Sequence, residues 1–444
     1  MEVVLLLIST IILISLLKQR LKQIKKTNTL TIFDGLFFGG LFFTFLPLFY
    51  SFIIGKISIL DILIFNPYID TDLLLYILSA NIVFGISANL IKFKNRLIEK
   101  DFIISKFEQD FFIGVLVFYV LSLTIIFLSS GKLNGGSHWY RANADVFARG
   151  PLYVLLGQFH NVGRVFLPGI CLYFQLVYLK KGLVFKPHFY VAGILIIMEL
   201  IMSGNRIVIL FFVFSIAIPF LLYGYYKKML IMILFCLPLI TVAKFWPMVR
   251  GMIWAEEVSM SRFSEVISIA YENEIESEDS SDPILVITEG SNIAALKYVT
   301  DNYPSNKDFT FGDTMIFKAI GALIPKSIWK DKPGGVGHEA GESVASGVSL
   351  YLNVTLLGDA WANFGWFGIL YIVFLLFILQ NLISFFCSNY IKYVSALAFM
   401  VAVASWRFEF SFYFISLYTM LIFIFIFKIK ILTYIFKSLK RNFF

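Results

Sequence analysis

Charge is scarce in this chain, and cysteine and histidine are scarcer still. Of 444 residues only 15% are Asp, Glu, Lys or Arg, where soluble domains carry about 25%. That shortage excludes a free-standing soluble domain. The three cysteines, Cys171, Cys236 and Cys387, lie in or beside apolar runs. A disulfide framework and a thiolate metal site are thereby excluded. The four histidines are scattered, and His338-Glu339 lacks the i, i+4 spacing of a helical zinc site. The expectation is no metal and no cofactor. No P-loop, GxSxG elbow or dinucleotide fingerprint stands in a plausible context. No fixed-period repeat is visible, and the acidic run from Glu272 to Asp282 is the one biased tract.

What the chain has in abundance is apolar length: 59% hydrophobic and 18% aromatic residues. A membrane span needs about 20 apolar residues. Eleven runs qualify: 2–17, 30–54, 72–91, 111–129, 152–179, 189–203, 206–225, 229–247, 363–385, 393–407 and 411–428. The turn signal Ser203-Gly204-Asn205 divides the apolar stretch from His188 to Gly224 into a hairpin. Basic residues crowd alternate short loops: Lys18 to Lys26, Lys92 to Lys100, Lys180 to Lys186, Lys227-Lys228, and a tail from Lys428 to Arg441. The positive-inside rule puts these loops in the cytoplasm, the N-terminus outside and the C-terminus inside. The net charge of +8 then reflects topology and contact with anionic lipid, and nucleic acid is not an expected partner. Because the basic cluster follows Val3–Leu17 with no small-residue cleavage site, the first run reads as a retained helix.

The fold class expected is all-α, a polytopic membrane protein of about eleven spans with one large, mostly helical extracytoplasmic loop. Residues 1–247 hold eight spans and a smaller outer loop at 130–150, 248–350 form the large loop, and 351–444 hold three spans and the tail. From Arg250 to Leu350 the chain carries sixteen of its 29 acidic residues and only eight basic ones. An acidic outer insert of this size points to chemistry or binding on a substrate met outside.

Arg206 heads a span that runs inward, so a helix N-terminus and a guanidinium coincide at the outer leaflet. That pairing suits a phosphate, although Arg206 also suits ordinary headgroups or a pairing with Glu199. His160 and Arg164 share one helical face at i, i+4, close to the bilayer centre. They read as a functional pair or as an interhelical pin onto Glu199. Ile324 to Glu342 gathers Lys326, Lys330, Lys332, His338, Glu339 and Glu342 among glycines, the composition of a mobile active-site loop. Imidazole is a side chain suited to general-base work at neutral pH, which makes His338 a candidate base. Farther on, Asp359, Trp361, Arg407 and Glu409 lie at expected outer helix ends.

SGNR at 203–206, IPKSIWKDKPGG at 324–335 and GDAWANFGWFG at 358–368 resemble the motifs of Wzy-type O-antigen and oligosaccharide repeat-unit polymerases. The motif match covers these segments, and the topology covers most of the chain. The Arg-x10-Gly pattern of some members is absent, so the resemblance does not choose among the outer arginines. It implies a glycosyltransferase of the bacterial cytoplasmic membrane that polymerises undecaprenyl-diphosphate-linked oligosaccharide. The partners it implies are membrane lipids, a chain-length regulator and a flippase. On that reading Arg206 and Arg164 bind diphosphate, with Arg141, Arg149, Arg250, Lys326, Lys332 and Arg407 in support. His338 is the candidate catalytic base and Glu339 its competitor. A ligase of the same plan uses the same donor, and a flippase or transporter would also carry intramembrane charge.

Overall fold

The apolar runs fold as helices in the computed structural model. The structure describes residues 2–27, 29–54, 70–91, 104–129, 151–202, 207–231, 291–321, 331–344, 352–386 and 391–428, with isolated positions 234, 249, 264–266, 268–269, 272, 324 and 329. Among these residues there is no strand, so the described chain is all-α. The helices are α1 (Glu2–Thr27), α2 (Ile32–Gly40), α3 (Leu46–Ile54), α4 (Thr71–Leu90), α5 (Lys106–Ser129), α6 (Pro151–Lys180), α7 (Pro187–Met202) and α8 (Ile207–Leu222). After these come α9 (Ser291–Asn302), α10 (Lys318–Gly321), α11 (Val336–Val344), α12 (Thr355–Phe364), α13 (Phe367–Phe386), α14 (Ile391–Ala404) and α15 (Phe410–Lys428). A π-helical turn, Leu41–Phe45, joins α2 to α3, and a second, Asp313–Phe317, leads into α10.

Six helical stretches among the described residues are long and apolar enough to cross a membrane: Glu2–Thr27, Ile32–Ile53, Thr71–Leu90, Lys106–Ser129, Phe159–Lys180 and Phe367–Phe385. Four shorter apolar helices follow at Pro187–Leu200, Ile207–Leu222, Lys392–Ala404 and Phe410–Met420. The expected run 229–247 lies largely outside the described residues. The turn expected at Ser203-Gly204-Asn205 lies outside the described residues, between α7, which is described to Met202, and α8, described from Ile207. Val3, Leu7, Ile11 and Ile14 form an exposed stripe on α1, as do Phe367, Leu370, Phe374 and Phe377 on α13. Bare apolar surface costs about 25 cal/mol per Å² in water, so faces like these call for lipid.

Packing divides the chain into two units, Met1–Asp101 with Ile284–Tyr418 and Phe102–Pro283 with Thr419–Phe444. In the first, the start of α1 meets the start of α4, where the Thr71 hydroxyl donates to Glu2 at 3.1 Å. At the opposite end, Arg20 of α1 grips Asp34 of α2, with Nη2 2.7 Å from Oδ2. Arg20 is therefore a buried pin rather than one more loop charge. Asp34 also accepts from the Thr31 amide at 2.6 Å and caps α2. The exposed Lys22, Lys25 and Lys26 lie beside this second end. Gly35 of α2 leaves room for the Phe399 carbonyl of α14, a close approach that small residues allow between apolar helices. The second unit packs α6 against α5, α7 and α8.

The described part of the insert is packed rather than loose. Ala295 and Val299 of α9, Val336 and Ala340 of α11, Tyr303, Val354 and Ala362 form one buried cluster. Val336 and Ala340 stand at i, i+4, which turns one face of α11 inward and leaves His338 and Glu339 exposed. The segment 331–344 thus departs from the mobile loop its composition suggests, because two apolar residues at helical spacing suffice to seat it.

Candidate functional sites

In the first unit, three stretches far apart in sequence meet on a polar cluster around Asp359. This residue of α12 is fully buried. Its carboxylate accepts from the Thr314 hydroxyl at 2.6 Å and from the Phe410 amide at 3.1 Å. One turn on, the Asn363 amide donates to Thr314 Oγ1 at 2.7 Å and to the Asp359 carbonyl at 2.6 Å. The Asn363 carbonyl oxygen accepts from the Gly312 amide at 2.6 Å and the Thr310 hydroxyl at 2.8 Å. The Asp-x3-Asn spacing of GDAWANFG therefore works as a staple that holds residues 310–314 to α12. Burial pushes the Asp359 carboxyl above its ordinary range, against the pull of Thr314, Lys318, the Phe410 amide and Asn363.

Beside it Lys318 pairs with Glu409, whose other oxygen accepts from the Gly337 amide at 3.0 Å. A Cβ at 335 would fall on both Lys318 Nζ and the Glu409 carboxylate, so a side chain there would displace the pair. Burial pulls the Lys318 ammonium down to about 8 and Asp359 opposes that pull. The turn carrying Glu409 is recessed. Trp406, fully buried, packs on Gly39 of α2 and donates to the Leu36 carbonyl at 2.9 Å.

His338 is exposed on α11. Glu339 next to it accepts from the Tyr303 hydroxyl at 2.8 Å and lies 2.7 Å from Lys307. Lys332 donates to the carbonyls of Gly321 and Ile324 at 3.1 and 3.3 Å, closing the end of α10. Arg407 is half-buried in the turn that carries Glu409. The structure thus places His338, Glu339, Lys332 and Arg407 in one unit, around a cluster that also holds Lys318, Thr314 and Tyr303. Sequence reasoning missed those three. A lone cation in the apolar run 314–323 was the available signal for Lys318.

Arg164 lies in the second unit. Glu199 of α7 is buried there, with Oε1 2.7 Å from His160 Nε2 and Oε2 3.4 Å from Arg164 Nη2. The Tyr119 hydroxyl of α5 donates to the same carboxylate. Gly163 leaves space for the Tyr119 ring, letting α5 and α6 approach. His160 and Arg164 share a face as their spacing predicts, and that face meets a carboxylate. Arg164 is therefore occupied and shielded, which favours the pin over a diphosphate contact.

Arg141, Arg149, Arg206, Arg250 and Lys326 lie outside the described residues. Among the described residues no group of three or more His, Cys, Asp and Glu is placed to hold a metal. Comparison with known proteins returns no match to this chain, whether among family models, curated proteins or solved structures.

Proposed function

We propose that the chain polymerises lipid-linked oligosaccharide repeat units at the outer face of a bacterial cytoplasmic membrane. It crosses the membrane eleven times, N-terminus outside and C-terminus inside. The observation that carries this reading is convergence. The GDAWANFGWFG stretch meets residues 310–314 through Asp359 and Asn363 and the turn at Glu409 through the Phe410 amide. Gly335, which ends IPKSIWKDKPGG, lies against the neighbouring Lys318–Glu409 pair. Sidedness supports it as well, since the basic end of α1 and the insert occupy opposite ends of the first unit's helices.

In the reaction a hydroxyl of the new lipid-linked repeat loses its proton to a base. Its oxygen bonds to the anomeric carbon of the growing glycan. The bond from that carbon to the undecaprenyl diphosphate breaks, and the diphosphate leaves with the electron pair. His338, an exposed imidazole on α11, is the base, and Glu339, which meets Tyr303 and Lys307, is its competitor. Cations stabilise the leaving diphosphate, with Arg206, Arg141, Arg149, Arg250 and Lys326 as candidates and no metal required.

A deletion strain tests the reading. Surface glycan cut to single repeat units is the expected result. Loss of all surface glycan overturns it in favour of a ligase or flippase. Complementation with His338→Ala should lower transfer by ~10²–10⁴-fold, the usual cost of a lost general base. Full-length polymer from that variant removes His338 as the base.

A further inference from the structure

A cleft of about 480 Å³ opens in the first unit, where the start of α4 meets the end of α9 and the turn from α12 to α13. Small-molecule sites occupy about 300–1,000 Å³. Two kinds of side chain line it. Asp70 and Asp72 at the start of α4 and Asp301 on α9 form one, and Phe309, Trp361 and Trp366 form the other.

The aromatic wall is rigid. Tyr76 meets Trp361 edge-on at 4.8 Å between ring centroids and Trp366 at 5.4 Å, and the two indoles lie 5.6 Å apart. Trp361 donates its indole N–H to the Tyr303 carbonyl at 2.9 Å, and the Tyr76 hydroxyl donates to the Leu357 carbonyl at 3.1 Å. The Trp361 N–H and the Tyr76 hydroxyl are thus used internally, which fixes the ring that Trp361 brings to the cleft. Gly365, at φ +56°, makes the tight turn between the indoles, with Phe309 only 3.1 Å from where a Cβ would sit. Trp366 is 46% exposed, so its face is open to a ligand.

The acidic wall is under-neutralised. Lys297 lies 2.8 Å from Asp70 and also pairs with Asp301. Asp72 is exposed and has no partner among the described residues. Three carboxylates against one ammonium repel a diphosphate. Carboxylates accept hydrogen bonds and do not donate them, so the fitting ligand is rich in hydroxyl or ammonium donors and has a flat apolar face. A pyranose ring has both, with its C–H face for the indole and its hydroxyls for the carboxylates. An interfacial aromatic belt would account for Trp366, but not for three carboxylates in the same cleft.

We propose that this cleft binds sugar rings of the glycan, neutral or amino-bearing, and keeps them apart from the diphosphate end. Its place in a reaction rests on the glycosyl-transfer reading above; its ligand chemistry rests on the cleft itself.

Purified full chain in nanodiscs, titrated with chitotriose, its deacetylated triamine and cellotriose, tests this by tryptophan fluorescence and saturation-transfer NMR. At least one trisaccharide should bind. Trp366→Ala and Asp72→Asn should each weaken it by about tenfold, and Trp366→Phe should retain most of the affinity. No binding of any of the three, or unchanged affinity in both weakening variants, overturns the proposal. Calcium or phosphocholine quenching Trp366 where no sugar does so also overturns it. The two readings fail separately. Sugar binding by a chain whose deletion leaves polymer intact keeps the cleft and removes the polymerase. Polymerase activity with no sugar bound here does the reverse.

Discussion

Glu199 and His160 face one another across α7 and α6 at 2.7 Å, with Arg164 on the far oxygen of the same carboxylate. All three are buried. Removing one partner of a buried ion pair strands the other charge, at a cost of about 3–5 kcal/mol. Glu199→Ala should therefore lower thermal stability in detergent by about that much, and Glu199→Gln by less, because its amide still meets Tyr119 and His160. Equal stability of wild type and Glu199→Ala would show that Arg164 finds another partner.

Asn363 closes three hydrogen bonds between α12 and residues 310–314, and a fourth to the Asp359 carbonyl within its own helix. Each buried group left unpaired costs about 1–3 kcal/mol. Asn363→Ala should release the 305–318 segment, read as faster proteolysis there while α1 to α4 stay protected. Unchanged cleavage would deny the staple.

The contact of Asp70 with Lys297 gives a pH dependence of known sign. Partial burial works against the Asp70 carboxylate, but Lys297 and the Leu73 amide outweigh it and hold its pKa below the usual 3.8. A carboxylate with a lowered folded pKa stabilises above its unfolded value and loses that contribution as pH falls through the folded one. Hydrogen exchange in α9 should thus quicken below about pH 4, and Asp70→Asn should abolish the dependence. An acid-independent α9 in the wild type would contradict the pairing.

Sidedness can be read chemically. After Cys171, Cys236 and Cys387 are replaced, Ser305→Cys should react with an impermeant thiol reagent added to whole cells. Lys25→Cys should react only after lysis. Both positions are exposed. The reverse pattern would place the insert in the cytoplasm.

Hydropathy carries the helices well, because an apolar run leaves few alternatives in lipid. Arg20 was not legible in the same way. A basic residue near others reads as loop charge until its carboxylate, fourteen positions on, is known. Of the candidate site, His338 and Glu339 were visible from residue type and Asp359 and Glu409 from their place at helix ends. Lys318 and Asp72 acquire meaning only from partners or walls distant in sequence. The composition of 331–344 misled, since glycine and charge outweigh two apolar residues in a window but not in a packed cluster.

The recessed turn has a bearing on biogenesis. Chains emerge from the ribosome N-terminus first, so Lys318 and Asp359 exist before Glu409 and Phe410 have been translated. Until the last helix has been made, Lys318 lacks the Glu409 carboxylate and Asp359 lacks the Phe410 amide. The cluster is in effect a completion check, and a chain truncated before residue 409 would carry an unlatched insert for surveillance proteases to find.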